Sequence, residues 1–411
     1  MQQFLSAFLF LFSFVSLLPA QPGCPDPQAL NYNASATGND GSCLYPTTSY
    51  SPTLKTELDA DIKEISGLTL AGARWWGHND SGYDEEFYRV NPDNGNLPQL
   101  IELKNAKNRD WEDIAAWNDT LYIGDFGNNN NDRQNLGVYI VPLSEIGNSG
   151  NETVQEFEWS FLPFSYTDQT NYSTQPEDSS VYDCEAMVVR NGQVHLFTKS
   201  RKNNNTVHYR LNTANNAAEI VESFNSNGLI TGASLSPDGK LIALVGYDLR
   251  PFIPTVFCWL LWDWPAGTDQ FFAGNKRRIE LGTALQVGQV ESIGFHSNRS
   301  AFISNERTSF NGVTIVDESI WNVDFSAWVP LTVGTQQPEN EVGRWSITPN
   351  PFTDRLEFQW EEKSAGIRLF NTQGVEILRL DEAPEYLELG YLPAGVYYVV
   401  AGNEVRRVVK R

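Results

Sequence analysis

Between residues 50 and 330, apolar and polar positions alternate in short runs separated by Gly, Asn and Asp, with little of the three-to-four spacing that marks a helix. The pattern predicts β-strands, and the strands repeat in units. Five units open with related words: Glu64-Ile65-Ser66-Gly67-Leu68, Glu112-Asp113-Ile114-Ala115, Glu185-Ala186-Met187-Val188, Thr231-Gly232-Ala233-Ser234-Leu235 and Glu291-Ser292-Ile293-Gly294-Phe295. In each, a turn and a second strand follow, then a third, such as Phe87 to Val90 or Val256 to Trp259. A fourth strand is visible in units one to four, and residues 53–58 stand where they could supply the missing one and close a ring. Four-stranded antiparallel units repeated at roughly 50–60 residues predict propeller blades. The expected fold is all-β. A five-bladed propeller spans 50–330, or a six-bladed one if a degenerate blade occupies Ser144 to Tyr182. A second set of alternating strands fills 345–411, beyond a linker at 331–344.

The region before residue 50 reads differently. Phe4 to Leu18 is almost continuously apolar and ends at Pro19-Ala20, the pattern of a signal peptide over 1–20 cleaved near Ala20. No later run is apolar enough to span a bilayer. Cys24 and Cys43 lie 19 residues apart in a Gly- and Asn-rich segment, 21–49, and in an exported chain predict a local disulfide. Cys184 and Cys258 fall within strands and are expected as buried thiols. The net charge of −22 argues against nucleic acid or anionic lipid as a partner. A monomer is expected.

Candidate chemistry follows from hairpin geometry. In an antiparallel pair the start of one strand lies opposite the end of the next. Polar residues recur thirteen to sixteen positions after each opening Glu: Asp80 after Glu64, Asp125 after Glu112, Lys199 after Glu185, and Glu306 after Glu291. One rim is therefore expected to gather Glu64, Glu112, Glu185, Glu291 and Glu306 as metal ligands. Asp80, Asp125, Lys199, Arg201 and Arg307 are expected beside them as ligand-binding groups. So many carboxylates in one place call for a cation such as calcium, for basic partners, or for raised pKa values that would make Glu112, Glu185 or Glu291 an acid or base. A structural role, with these Glu accepting backbone N–H bonds from a neighbouring blade, stays open. The four histidines include no metal-spaced pair. Trp75, Trp76, Trp111 and Trp117 fit blade packing better than sugar stacking. The Asn128–Asn131 run is a turn or a ligand loop at the same rim.

Three resemblances add to this. Gly23-Cys24-Pro25-Asp26-Pro27 through Asn31-Tyr32-Asn33 and Asp40-Gly41-Ser42-Cys43 resembles a short module of secreted bacterial proteins. There Asp26, Asn31, Asn33 and Asp40 are either calcium ligands or, more economically, Asx-turn formers. Glu64-Ile65-Ser66-Gly67-Leu68, Asp110-Trp111-Glu112-Asp113-Ile114, Tyr122-Ile123-Gly124-Asp125 and Val290-Glu291-Ser292-Ile293 resemble the SdiA-regulated and phytase-like propellers, which implies calcium and phosphate at the rim. The Asp-Asp-Pro-Ala word of true phytases is absent. Pro349-Asn350-Pro351, Asn371-Thr372-Gln373-Gly374, Leu392-Pro393-Ala394-Gly395-Val396-Tyr397 and the basic end of the chain resemble the C-terminal sorting domain of type IX secretion. That implies a small C-terminal β-sandwich over 345–411, recognition by the type IX machinery, and delivery outside, or to the outer-membrane surface of, a Gram-negative cell. The expected function is a secreted or cell-surface propeller binding a divalent cation and a ligand at its acidic mouth. A calcium-dependent phosphoester or ester hydrolase and an adhesion or scaffold protein are the alternatives.

Overall fold

The computed structural model describes residues 21–248, 253–310, 313–329, 345–360, 366–371, 376–380, 382–401 and 404–411; the expected signal peptide and linker lie outside them. The chain divides into two compact units, the first up to residue 331 and the second from 332 to 411.

In the first unit the repeat becomes a set of antiparallel sheets. Sheet 1 comprises Ile65–Ala71, Arg74–Asn79, Glu86–Val90 and Gln99–Leu103. Sheet 2 comprises Trp111–Trp117, Thr120–Asp125, Gly137–Pro142 and Ser160–Pro163. Sheet 3 comprises Cys184–Arg190, Gln193–Thr198, Asn205–Asn212 and Ala217–Asn225, and sheet 4 comprises Leu229–Leu235, Leu241–Tyr247, Thr255–Trp262 and Asn275–Thr283. Sheet 5 takes Gln289–Phe295, Ser300–Glu306 and Ser319–Asp324 from one end of the unit and Thr53–Glu57 from the other, so its last strand joins the two ends. The first strand of each sheet packs against the first strand of the next, and that of sheet 5 returns to that of sheet 1. The result is propeller-like.

The Ser144–Tyr182 stretch makes no sheet of its own. Glu152–Val154 adds a parallel edge strand to sheet 1, Ser160–Pro163 is the outer strand of sheet 2, and Ser165–Tyr166 edges sheet 3. Apolar side chains fill the spaces between neighbouring sheets: Trp76, Phe87, Trp111 and Ile123 between sheets 1 and 2, and Leu244, Phe257 and Phe271 between sheets 3 and 4. Trp75, Trp76 and Trp111 are buried in this packing, while Trp117 reaches the surface. Cys184 and Cys258 are buried free thiols.

Cys24 and Cys43 form the expected disulfide. Around it Asp26 Oδ1 accepts the Gln28 N–H at 2.8 Å, Asn33 Oδ1 accepts that of Ser35 at 3.0 Å, and Asp40 Oδ1 accepts that of Ser42 at 3.0 Å. These are Asx turns, with the carboxylates and amides already occupied. Thr48–Ser49 then pairs in parallel with the outer strand of sheet 4.

The second unit has a three-stranded antiparallel sheet (Trp345–Thr348, Arg355–Trp360, Tyr386–Glu388) and a four-stranded one (Glu376–Leu380, Ile367–Asn371, Gly395–Ala401, Glu404–Lys410). Leu356 and Phe358 of the first meet Leu369, Tyr397 and Val399 of the second in one buried cluster.

Candidate functional site

Each innermost strand carries a β-bulge at its start. In sheet 2 the register passes from Trp111 to Asp113, leaving Glu112 unpaired; in sheet 3 it passes from Cys184 to Ala186, leaving Glu185. The bulge residue is Ser66 in sheet 1, Thr231 in sheet 4 and Glu291 in sheet 5. A bulge re-aims the extra side chain without disturbing the alternation of the rest of the strand. Here it turns Ser66, Glu112, Glu185 and Glu291 into a cavity of about 360 Å³ at one mouth of the ring. Asp80, Lys199, Tyr247 and Glu306, from the ends of the second strands, line the same cavity, with Asn129, Asn130, Glu177, Arg201 and Gln289.

The residue after each bulge is Gly67, Asp113, Ala186, Gly232 or Ser292, because the ring is tight there. A Cβ on Gly232 would stand 2.7 Å from the Glu291 carbonyl oxygen of the next strand. Asp113 fits by burying its carboxylate against backbone, accepting the N–H groups of Ile114 at 2.8 Å and Met187 at 2.7 Å. Two bulge residues bond across to the next sheet: Ser66 Oγ to the Glu112 carbonyl at 3.0 Å and Thr231 Oγ1 to that of Val290 at 2.7 Å. The three bulge glutamates instead point their carboxylates into the cavity.

The carboxylates form two overlapping groups. Asp80, Asp110 and Glu112 each offer an oxygen within 4.8 Å of the others, as do Glu112, Asp183 and Glu185. Asp183 is fully buried; its Oδ1 accepts the Asn128 N–H at 2.7 Å and its Oδ2 has no hydrogen-bond partner among the described residues. Burial, then Glu185, Asp80, Asp110 and Asp183 around it, push the Glu112 carboxyl well above its usual value. Burial and Glu185 raise Asp183 despite Lys199 nearby. Burial lifts Asp80 to about 7 and Asp110 to about 6. On the other side of the cavity Lys199 Nζ lies 2.6 Å from Glu185 Oε2. Burial works against its charge, but Glu185, Tyr247 and Glu291 hold its pKa well above the ordinary value. Gln289 Nε2 donates to Glu291 Oε1 at 2.5 Å and to Glu306 Oε2 at 3.5 Å. Desolvation raises Glu291 to about 7 and Glu306 to about 9.

The cavity thus brings together Glu112, Glu185, Glu291, Glu306, Asp80, Lys199 and Arg201, and three expected residues stand elsewhere. Glu64 is exposed, two residues ahead of the bulge position that Ser66 occupies in sheet 1. Asp125 pairs with Trp111, one residue before the position of Asp80 and Lys199, so alternation sends it to the other face. There it is fully buried, 2.7 Å from Arg133 and 3.1 Å from Arg109, and the next residue, Phe126, is buried in the apolar cluster between sheets 2 and 3. Arg307 follows Glu306 by one residue, so it points away and ion-pairs with Glu318 at 2.7 Å. Asp110 and Asp183 were not expected. Each stands two residues before a bulge glutamate, and this Asp-x-Glu spacing at the head of the second and third repeats was the available signal. The opposite mouth holds a cavity of about 580 Å³ lined by strand backbone, Trp117, Arg190 and the Ser236–Gly239 turn, with Asp238 the carboxylate among its lining residues.

Comparisons with known proteins divide along the same lines as the chain. No curated protein matches the sequence. Among solved structures, hydrazine synthase of Kuenenia stuttgartiensis shares 11% identity over 66% of this chain and 65% of its own, with a TM-score of 0.33. PorZ, a surface component of the type IX secretion system of Porphyromonas gingivalis, shares 10% over 84% and 45%, with a TM-score of 0.29. An exo-β-1,3-galactanase of Phanerochaete chrysosporium shares 11% over 87% and 95%, with a TM-score of 0.41. Likenesses this weak say nothing about function. At the other end, residues 346–411 match the family described as Secretion system C-terminal sorting domain. No helix among the described residues is long and apolar enough to cross a membrane. The chain therefore carries the sorting tail of a type IX substrate, handled by that machinery and destined for secretion or the cell surface.

Proposed function

We propose that this is a secreted or cell-surface five-bladed propeller, followed by a C-terminal β-sandwich, that binds a divalent cation and a ligand at its acidic mouth. The observation that carries the reading is Asp183: a fully buried carboxylate with one oxygen left unpartnered, grouped with Glu112 and Glu185 inside 4.8 Å. A buried, unsatisfied carboxylate oxygen is costly, and two more carboxylates beside it make it costlier. A cation offsets both costs. An all-oxygen donor set suits a hard ion such as calcium, with Glu112, Asp183 and Glu185 as ligands and Asp80 and Asp110 beside them.

Thermal unfolding across a calcium titration tests this, because an ion that binds the folded state raises the melting temperature by mass action. A rise at millimolar calcium is expected in the unsubstituted protein, and none in Asp183→Asn or Glu112→Gln. A flat response in the unsubstituted protein would sink the reading. A hydrolytic role for the same mouth is the second reading. Glu291, raised to about 7, supports it as a carboxyl poised near neutrality to move protons. It requires turnover of a phosphoester or carboxylic ester that calcium stimulates and Glu291→Gln abolishes.

A further inference from the structure

The basic side of the cavity holds a half-used recognition edge. Arg201 follows the second strand of sheet 3 and lines the mouth. Its Nη2 stands 3.0 Å from Glu177 Oε1, while its Nε is buried with no hydrogen-bond partner among the described residues. Nε and Nη2 form one edge of the guanidinium, able to grip an oxyanion through two parallel bonds. Glu177 uses only one of them.

Glu177 reaches Arg201 from the loop that precedes sheet 3. Asn131 pins that loop beside the mouth: its Oδ1 accepts the N–H groups of Val181 at 3.1 Å and Tyr182 at 3.0 Å. The Gln175 N–H donates to the Asn130 carbonyl at 2.9 Å, and Thr174 Oγ1 donates to Asp132 Oδ2 at 2.7 Å. The Glu177 side chain itself remains 59% exposed. An ion pair this open to water contributes little and exchanges readily.

We propose that Arg201 is the subsite for a carboxylate of the ligand, and that Glu177 holds its place in the free protein. The inference rests on the mouth being a ligand site, and it adds the class of ligand. Charge favours a carboxylate over a phosphate. Glu185, Glu291, Glu306 and Asp80 share the cavity, and a dianion entering it meets about twice the repulsion that a monoanion does. A ligand carboxylate that displaces Glu177 would engage both Nε and Nη2, where the tethered Glu177 engages Nη2 alone.

Calorimetry on the full chain tests the assignment, using calcium first and then, in calcium, the monoanions galacturonate and N-acetylalanine, neutral galactose and inorganic phosphate as probes. Glu177→Gln removes the internal competitor and is expected to tighten binding of the carboxylate probes about threefold to fivefold. Arg201→Lys keeps the charge but not the edge, and is expected to weaken them about tenfold. Calcium affinity stays the same in both variants, and melting curves verify that both fold. The difference between galacturonate and N-acetylalanine tells an acidic sugar from a peptide carboxylate. Carboxylate affinities unmoved by both substitutions, with calcium still bound, would overturn the subsite. So would phosphate binding more tightly than either carboxylate probe. If calcium does not bind but carboxylate affinity still follows Glu177 and Arg201, the cation reading falls and the subsite stands.

Discussion

Glu291 and Glu306 stand on adjacent strands of sheet 5 and share the amide of Gln289. Desolvation raises both, to about 7 and about 9, from a usual value of 4.5. An unfolded chain loses these protons near pH 4.5 and the folded one holds them longer. Their contribution to stability is therefore full below that pH and is lost as pH rises through 7 to 9. His195 and His208 act in the opposite sense. They are buried in contact, Nδ1 to Nε2 at 2.9 Å, and burial lowers each to about 3 from 6.5. Their contribution is full above 6.5 and is lost as pH falls toward 3. Melting temperature without added cation should therefore peak between roughly pH 4.5 and 6.5, and Glu306→Gln should flatten the alkaline limb while leaving the acid limb in place. An alkaline limb identical in the variant would mean that Glu306 ionises freely. Residues at this scale were legible by type more than by place. The glutamate that heads four of the five repeats marked Glu112, Glu185 and Glu291, which line the cavity, but in the first repeat Glu64 stands two positions early and Ser66 lines it instead. Asp125 and Arg307 each missed the cavity by a single position, because one step along a strand changes the face.

The element that makes the site is the bulge, and bulges have no composition of their own. Alternation predicted the strands because burying one face of a sheet requires it. It could not show where a register slips by one residue, since the slip is decided by how tightly the five first strands meet around the channel. The small residue after four of the five bulges, Gly67, Ala186, Gly232 and Ser292, is the trace this leaves in the sequence. Gly232 is the clearest case: a Cβ there would lie 2.7 Å from the Glu291 carbonyl oxygen and 3.0 Å from the Ser292 Cα, backbone atoms that cannot swing aside. Gly232→Ala should cost about 1–3 kcal/mol, as overpacking does. The strain falls on the strand that carries Glu291, which holds none of the proposed calcium ligands, so the variant should lose stability while keeping its calcium affinity. Urea denaturation and calorimetry on the same sample check both effects. A variant as stable as the parent would mean the ring can widen at no cost. The closing strand was easier to read. Thr53–Glu57 lies ahead of the first repeat and pairs with Ser319–Asp324, which the missing fourth strand of the last repeat had already required.

At the scale of the whole molecule, the best-identified part is the tail, and the disulfide module agrees with an export route. Cys24–Cys43 closes a 19-residue separation around a cluster of Asx turns, and such a loop is too small to hold a core by itself. Its support comes from the outer strand of sheet 4. Thr48 and Ser49 pair there with Ile279 and Glu280, and Arg277 reaches Thr48 Oγ1 at 3.1 Å and Gln28 Oε1 at 2.6 Å. The arrangement works in the other direction as well. An outer strand is an open edge that would template pairing with another chain, and the module covers its Ile279–Glu280 stretch. The disulfide is worth roughly 3 kcal/mol in the chain-entropy model, but that stabilisation belongs to the module and the edge beneath it, not to the ring. Reduction should therefore speed hydrogen exchange over residues 21–49 and along Asn275–Thr283, while the first strands of the sheets keep their protection. Reduced protein should also associate more readily, through the uncovered edge of sheet 4. Exchange measured by mass spectrometry with and without reductant checks this. A uniform loss of protection across the sheets would show instead that the module is a keystone of the ring. An unreduced edge that exchanges as fast as the reduced one would show that it covers nothing.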